Sequence, residues 1–395
     1  MEKRCRRLHA ADDHLIFELL APFLNSYDHV VASLTCRTLL ATLPPALVNL
    51  DFSGVHPFHS DSEGLVAQFH DLKIDDRKLQ LAVTRFHSVH LVDLSTCRAV
   101  SNGGLAVLQG LRNLRYLRLA SMSLTSIGAL QGARQGCLPQ LVELILAGTP
   151  IQSLGPLRAC RDLRLLDLGG GVPVQDLAPL SECCQLRVLR LPGTPISNVA
   201  PLGACGALEE VHLSGTRVVE VSPLKSCRHL RVLYLNGSAV RNCKGLDSCT
   251  ALETLNLYGT RVSSVEELRR CVRLRSLDLG STLVRDLAPL VTCGLLSTLD
   301  VSRSRVTSVA ALGGCASLRT LDCSHTVVND VSALSGCGAL EALYISCTSV
   351  ANVASLARCR LLVTVDATFT AVADVSMLGH VTILKTLGPP GVASR

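Results

Sequence analysis

Tryptophan is absent from the 395 residues, and aromatic side chains make up only 3% of them. Large rings supply much of the buried area in most globular cores. A core of Leu, Val and Ala is instead what stacked short repeats produce. Long apolar runs are missing too. No segment reaches the roughly 18 uninterrupted apolar residues of a membrane helix, so no membrane partner is expected. Lys3, Arg4, Arg6 and Arg7 are followed by no apolar stretch, and no secretory leader is read there. The chain is therefore expected inside the cell, cytoplasmic or nuclear, where thiols stay reduced. Its 18 cysteines then read as small apolar side chains rather than a disulfide framework. A net charge of +6, spread along this length, selects no partner, and nothing in it calls for nucleic acid.

Catalytic signatures are missing as well. No triad, paired-carboxylate, phosphate-loop or metal-ligand pattern stands out, and no cofactor is implied. His56, His59, His70 and His87 share a stretch with Asp61, Asp71 and Asp75. One His-x-x-His without a second pair is too little for a zinc site. Residues 53–88 read as polar loops with one helix around Asp76–Phe86.

What is present is a phrase repeated every 22 residues. It starts at Leu208, Leu230, Leu252, Leu274, Leu296, Leu318, Leu340, Leu362 and Leu384, and upstream at Leu114, Leu141, Leu163 and Leu186. Its form is LxxLxLxxTxVxxVxxLxxC. The LxL portion alternates with period two and reads as a short strand with its leucines inward. About fourteen such strands, ~4.8 Å apart, would form a curved parallel sheet roughly 65 Å long. Position nine is Thr or Ser almost throughout, from Thr149 to Thr370, with Gly171 the break. A buried hydroxyl there can pair with backbone groups exposed at a turn. Position twenty is Cys160, Cys205, Cys227, Cys249, Cys271, Cys293, Cys315, Cys337 or Cys359, a structural column of reduced thiols. Segments such as Leu287-Ala288-Pro289-Leu290 are too short for helices and predict single 3₁₀ turns. Gly148, Gly193, Gly215, Gly237 and Gly259 follow the strands and permit a tight exit from the sheet. These units resemble the short leucine-rich repeats of internalin-like proteins over residues 111–388. The fold expected is an α/β solenoid, a curved parallel-sheet leucine-rich-repeat array, with a tail over 389–395.

Residues 1–46 lack the phrase. Leu15–Leu24, His29–Cys36 and Cys36–Leu43 read as three short helices, stopped by Pro44 and Pro45. Leu47, Leu50 and Phe52 look like a first degenerate strand, opening an irregular stretch over 47–110. Helices followed directly by such repeats, with Ile16, Phe17, Leu20, Phe23, Leu24, Asp28, Leu34, Cys36 and Arg37 in place, resemble an F-box/leucine-rich-repeat protein. The Cys97-containing segment Val89–Leu108 resembles the longer repeat of that family. The resemblance implies docking on a Skp adaptor through Ile16, Phe17, Leu20, Leu24 and Leu34, with a cullin behind it. The repeats would then hold the substrate of a ubiquitin ligase. Asp12-Asp13 stand where the family has Leu-Pro, and Leu39 where it has Trp. The alternative is a helical cap on the open end of the solenoid, in a scaffold or assembly factor with no ubiquitin link.

Outward strand positions predict where a protein partner sits. The central column reads Arg118, Ile145, Asp167, Arg190, His212, Tyr234, Asn256, Asp278, Asp300, Asp322, Tyr344 and Asp366. Tyr116, Glu143, Glu210, Tyr258, Arg303 and His325 flank it. Tyr and Arg are favoured interface anchors. Aspartates stacked about 5 Å apart repel one another, and a partner with a basic segment would relieve this.

Overall fold

A computed structural model describes residues 32–33, 49–51, 66–68, 74–85, 89–95, 97–132, 136–137 and 140–386. The chain forms two compact units, Met1–Leu168 and Gly169–Arg395. Each is a parallel-sheet solenoid.

In the second unit, strands begin with Val188–Arg190 and Glu210–His212 and continue through Thr364–Asp366 to Ile383–Lys385. Each pairs in parallel with the next in sequence. From Val188–Arg190 to Thr364–Asp366 the middle residue of each three-residue strand, such as Val211, Leu233 or Leu277, is buried between less buried neighbours, while in Ile383–Lys385 Leu384 is only half-buried. Between strands the chain returns through 3₁₀ turns such as Ala200–Ala204 and Ala288–Thr292. Most stop after five residues, as the sequence spacing requires.

Each repeat must satisfy the backbone groups it turns inward. At the first corner the position-nine hydroxyl donates to the carbonyl three residues back. Thr216 Oγ1 reaches the Leu213 carbonyl at 2.7 Å, Thr260 that of Leu257 at 2.7 Å, and Thr282 that of Leu279 at 2.6 Å. The hydroxyls thus close their own turns and do not link one repeat to the next. Ser238 is the exception: its Oγ is buried with no hydrogen-bond partner.

On the return side, the cysteine thiols add links between repeats to those of the paired strands. Cys205 Sγ lies 3.2 Å from the Leu180 carbonyl of the preceding repeat, Cys249 Sγ 3.4 Å from Leu224, and Cys337 Sγ 3.2 Å from Leu312. All carry free thiols. Burial pushes the Cys205 and Cys249 thiols up to about 12 and the Cys227 thiol up to about 11. Cys183 joins the column, buried at the end of the turn Ala178–Glu182. The spacing hides it, because its repeat is one residue longer.

The last repeat departs from the 22-residue reading. Leu384 is the centre of Ile383–Lys385 and pairs with Val365, so it is a strand-centre residue and not the first leucine of a new phrase. That repeat is shortened by three residues. After the turn Ser376–Leu378 no cysteine follows, and His380 Nε2 instead lies 3.1 Å from the Cys359 carbonyl.

In the first unit, strands Leu91–Asp93, Tyr116–Arg118, Glu143–Ile145 and Leu165–Asp167 pair in sequence order. Upstream the order changes: Asn49–Asp51 lies between Val66–Gln68 and Leu91–Asp93, with Ala32–Ser33 outermost. Ala32–Ser33 is therefore a strand within the span expected to be the second helix. The preceding β-branched pair Val30-Val31 favours extended backbone. Val66–Gln68 is likewise a strand in a stretch expected to be loop. The helix Asp76–Arg85 buries Leu79 and Val83. The proposed docking residues Ile16, Phe17, Leu20, Leu24 and Leu34, and His56, His59, His70 and His87, lie outside the described residues.

Two measurements test these corners. Thr260→Val should lose about 1 kcal/mol in urea unfolding, the net worth of one internal hydrogen bond. Ser238→Ala should lose nothing, because its hydroxyl has no bond to give up. A short iodoacetamide pulse read by mass spectrometry should label exposed Cys184 and spare Cys205, Cys249 and Cys271 until denaturant is added, since only the thiolate reacts.

Candidate protein-binding face

The sheet register assembles the expected column within each unit. In the second unit Arg190, His212, Tyr234, Asn256, Asp278, Asp300, Asp322, Tyr344 and Asp366 stand side by side on successive strands. In the first, Tyr116 and Arg118 share one strand. These residues are half-buried rather than fully exposed, because column neighbours one strand apart cover one another's flanks.

The acidic and amide members also have a local task that the pattern did not announce. Asp278 Oδ1 accepts the Gly280 amide at 2.9 Å, Asp300 that of Ser302 at 2.7 Å, and Asp322 that of Ser324 at 2.8 Å. Asn256 accepts the Tyr258 amide at 2.9 Å and Asp366 that of Thr368 at 3.1 Å. Each side chain folds back two residues to cap the exit from its strand, as Asx turns do. Asp or Asn two residues before a turn was the signal available in the sequence.

Charge is distributed unevenly along the column. Arg118 Nε meets Glu143 Oε1 at 2.9 Å, and Arg190 Nη2 meets Glu210 Oε1 at 2.9 Å, with His212 Nε2 3.0 Å from the same oxygen. The His212 ring also stands edge-on to Tyr234, centroids 4.6 Å apart. The basic members are thus matched by glutamates beside them. Among the described residues no ion pair answers Asp278, Asp300 or Asp322, while Lys385 Nζ lies 3.9 Å from Asp366 Oδ2. Burial holds the Asp278 carboxyl above its ordinary range, against the Gly280 amide that favours its charge and with Asp300 adding to the lift. Burial also raises Asp322, opposed by the Ser324 amide and, more weakly, by His325. Tyr258, outside the column, is 45% exposed. Its ring occupies the space over Gly280, where an added Cβ would meet Tyr258 Cδ2 at 2.9 Å.

A second column lies at the turn after each strand, where the sequence shows a tight exit at its glycines and a flank of the binding face at Arg303 and His325. Gly193, Gly215, Gly237 and Gly259 hold φ between +67° and +72° there. In the following repeats the position is Ser281, Arg303, His325, Cys347 and Phe369, with φ of +55° to +57°. Left-handed backbone costs a residue with a Cβ about 1–2 kcal/mol. The conformation is enforced by ladder bonds into the next repeat, such as Arg303 N to the Ser324 carbonyl at 2.9 Å and His325 N to that of Ser346 at 2.8 Å.

No family model matches the sequence, and no curated protein matches it. Solved structures match the fold. An internalin of Listeria monocytogenes is 22% identical, covering 73% of this chain and 83% of its own at a TM-score of 0.66. A leucine-rich-repeat protein of Leptospira interrogans is 14% identical, covering 92% and 98% at a TM-score of 0.68. A plant peptide hormone receptor, solved in complex with RGF2, is 18% identical, covering 87% of this chain and 53% of its own at a TM-score of 0.64. The fold is that of a leucine-rich-repeat solenoid. Among the described residues no helix is long and apolar enough to cross a membrane, and no His, Cys, Asp and Glu cluster could hold a metal ion.

The carboxyl shifts give a signed expectation. Asp278 and Asp322 titrate above their ordinary value of 3.8, so their charged forms are disfavoured in the fold. This penalty is absent below that value and complete once pH exceeds the folded pKa. Asp278→Asn and Asp322→Asn, which keep the turn acceptor, should raise urea stability at pH 7, and the gain should vanish near pH 3.8. Asp278→Ala, which removes the acceptor, should instead lose about 1 kcal/mol.

Proposed function

We propose that the chain is a non-enzymatic binding scaffold that holds a basic segment of a partner protein along Asp278, Asp300, Asp322 and Asp366. The observation that carries this reading is the contrast within one column: Arg190 and His212 are matched by Glu210, whereas Asp278, Asp300 and Asp322 have no ion-pair partner among the described residues. Repulsion among adjacent half-buried carboxylates is relieved when ammonium or guanidinium groups approach. Tyr234, Tyr258 and Tyr344 supply rigid amphipathic contact area beside the charges. Arg190, His212 and Asn256 complete the outward surface of the second unit, and Tyr116 and Arg118 belong to that of the first. The structurally similar hormone receptor, of which this chain spans about half, was solved with a bound partner, and that supports the same use of the fold.

The finer reading makes this scaffold the substrate receptor of a Skp–cullin ubiquitin ligase. It rests on the F-box resemblance of residues 12–43 alone. The other reading, a scaffold or assembly factor whose amino-terminal residues act only as a cap, uses the same face.

One affinity purification separates them. The full chain, a chain lacking residues 1–45 and an Asp300→Lys/Asp322→Lys chain are compared, with associated proteins identified. Skp adaptor and cullin recovered only with the full-length versions would establish the ligase role, and their absence throughout would remove it. The charge-reversed chain should hold the face-bound partner at least about tenfold more weakly. Undiminished capture would remove the basic-segment reading.

A further inference from the structure

The turn column of the second unit changes character at one point. Through Gly259 the left-handed position is glycine; from Ser281 onward it carries a side chain. The central column changes in the same repeat, from Asn256 to Asp278. Backbone geometry does not demand the change, since φ and the ladder bonds are alike on both sides of it. A Cβ would also fit in the glycine repeats: at Gly215 and Gly237 its nearest neighbours would be 3.8 to 3.9 Å away. The later repeats therefore accept left-handed strain that glycine would avoid.

Of the side chains gained, Arg303, His325 and Phe369 add nothing to core packing, although His325 stands near enough to Asp322 to favour its charge. Arg303 and His325 are exposed, and Phe369 is half exposed. None of them fills the core, and among the described residues no ion pair holds Arg303. An exposed phenylalanine in strained backbone is doubly unfavourable for the isolated chain. Such residues persist where a bound state uses them.

We infer that Arg303, His325 and Phe369 form the specificity-determining edge of the partner-binding face and contact the bound segment directly. The inference rests on the reading proposed above and deepens it. The occupant is an extended segment of another protein, running across the strands. Its basic side chains face Asp278, Asp300 and Asp322, and an apolar side chain rests against Tyr344 and Phe369. Arg303 and His325 present N–H donors to the backbone carbonyls that an extended segment leaves unpaired. Charge complementarity favours this occupant over nucleic acid, which the aspartates repel. The sequence of contacts gives the segment a direction, basic end toward Asp278 and apolar end toward Phe369. From Ser281 to Phe369 the column spans about 19 Å at ~4.8 Å per strand. Roughly six extended residues cover that distance.

The test uses the full chain and a displayed library of random peptides about twelve residues long, long enough to span the column when extended. Enriched peptides are synthesised and their affinities measured by fluorescence anisotropy against Arg303→Gly/His325→Gly, Phe369→Gly, Phe369→Ala and Asp300→Lys/Asp322→Lys chains. Enriched peptides are expected to join Lys or Arg to an aromatic or aliphatic residue. The glycine variants should bind them about tenfold more weakly while melting at the same or a higher temperature. Phe369→Ala, which keeps the strain and loses the ring, should bind as weakly as Phe369→Gly. Glycine variants that bind within about twofold of the parent, while Asp300→Lys/Asp322→Lys fails to bind, would overturn the edge and leave the acidic face standing. Lower melting temperatures in the glycine variants would assign these side chains to the fold and also overturn it. A library that enriches no basic peptide on the parent chain over the charge-reversed one would overturn both readings.

Discussion

Everything in this molecule depends on how a core only one repeat deep satisfies the backbone groups it turns inward. A three-residue strand leaves no room for the long ladders that quiet a larger sheet. Each corner therefore carries its own device. A threonine hydroxyl closes the first turn onto the carbonyl three residues back, and a cysteine thiol reaches the preceding repeat on the return side. An aspartate or asparagine caps the strand exit from outside. These groups are small because the leucines already fill the section. Asparagine could serve either buried corner but would need more room than a hydroxyl or thiol takes.

The outer device ties structure to recognition. A carboxylate that accepts a turn amide with Oδ1 is held in place by the fold, and its charge is presented at a fixed height above the sheet. Repetition then brings three such charges together on adjacent strands at Asp278, Asp300 and Asp322. Asparagine would cap the turns equally well, as Asn256 does. Capping explains why an acceptor stands at each position, but not why the acceptor is charged in a run where neighbouring charges raise one another's cost. The choice of Asp over Asn is the part that calls for a partner.

The sequence was most legible where one residue type has one physical use. Leucine period gave the strands, threonine the first corner and proline-containing returns the 3₁₀ turns. It was less legible where a position can be filled in two ways. One extra residue shifts Cys183 out of the 22-residue spacing, and Leu384 is ambiguous because a leucine fits either the first or the strand-centre position. Glycine announces left-handed backbone; Arg303 and Phe369 do not, since nothing in their chemistry favours positive φ. The turn-capping role of the aspartate column rests on side-chain hydrogen bonds two residues long, which a search for 22-residue periodicity overlooks. In the span His29–Cys36 apolar spacing points to helix, whereas the β-branched pair Val30-Val31 that precedes the strand Ala32–Ser33 points the other way.

A strict repeat creates a difficulty of its own, because a slip by one whole unit leaves every leucine, threonine and cysteine in an equivalent place. At the junction of such a slip the core positions still match, so core packing does not discriminate between neighbouring repeats there. The position after the first leucine can. It reads Arg187, Glu209, Arg231, Glu253, Arg275, Ser297, Arg319 and Glu341, and cross-repeat ion pairs join Arg187 to Glu209, Arg231 to Glu253 and Arg319 to Glu341. These pairs are exposed and individually weak. Leaving one repeat out of the stack would do more than lose a pair: it would set like charges together at the junction, Arg187 against Arg231 or Glu209 against Glu253. Alternation of sign doubles the period of the surface relative to the core, and so gives the array a way to distinguish neighbouring repeats that its interior treats as identical.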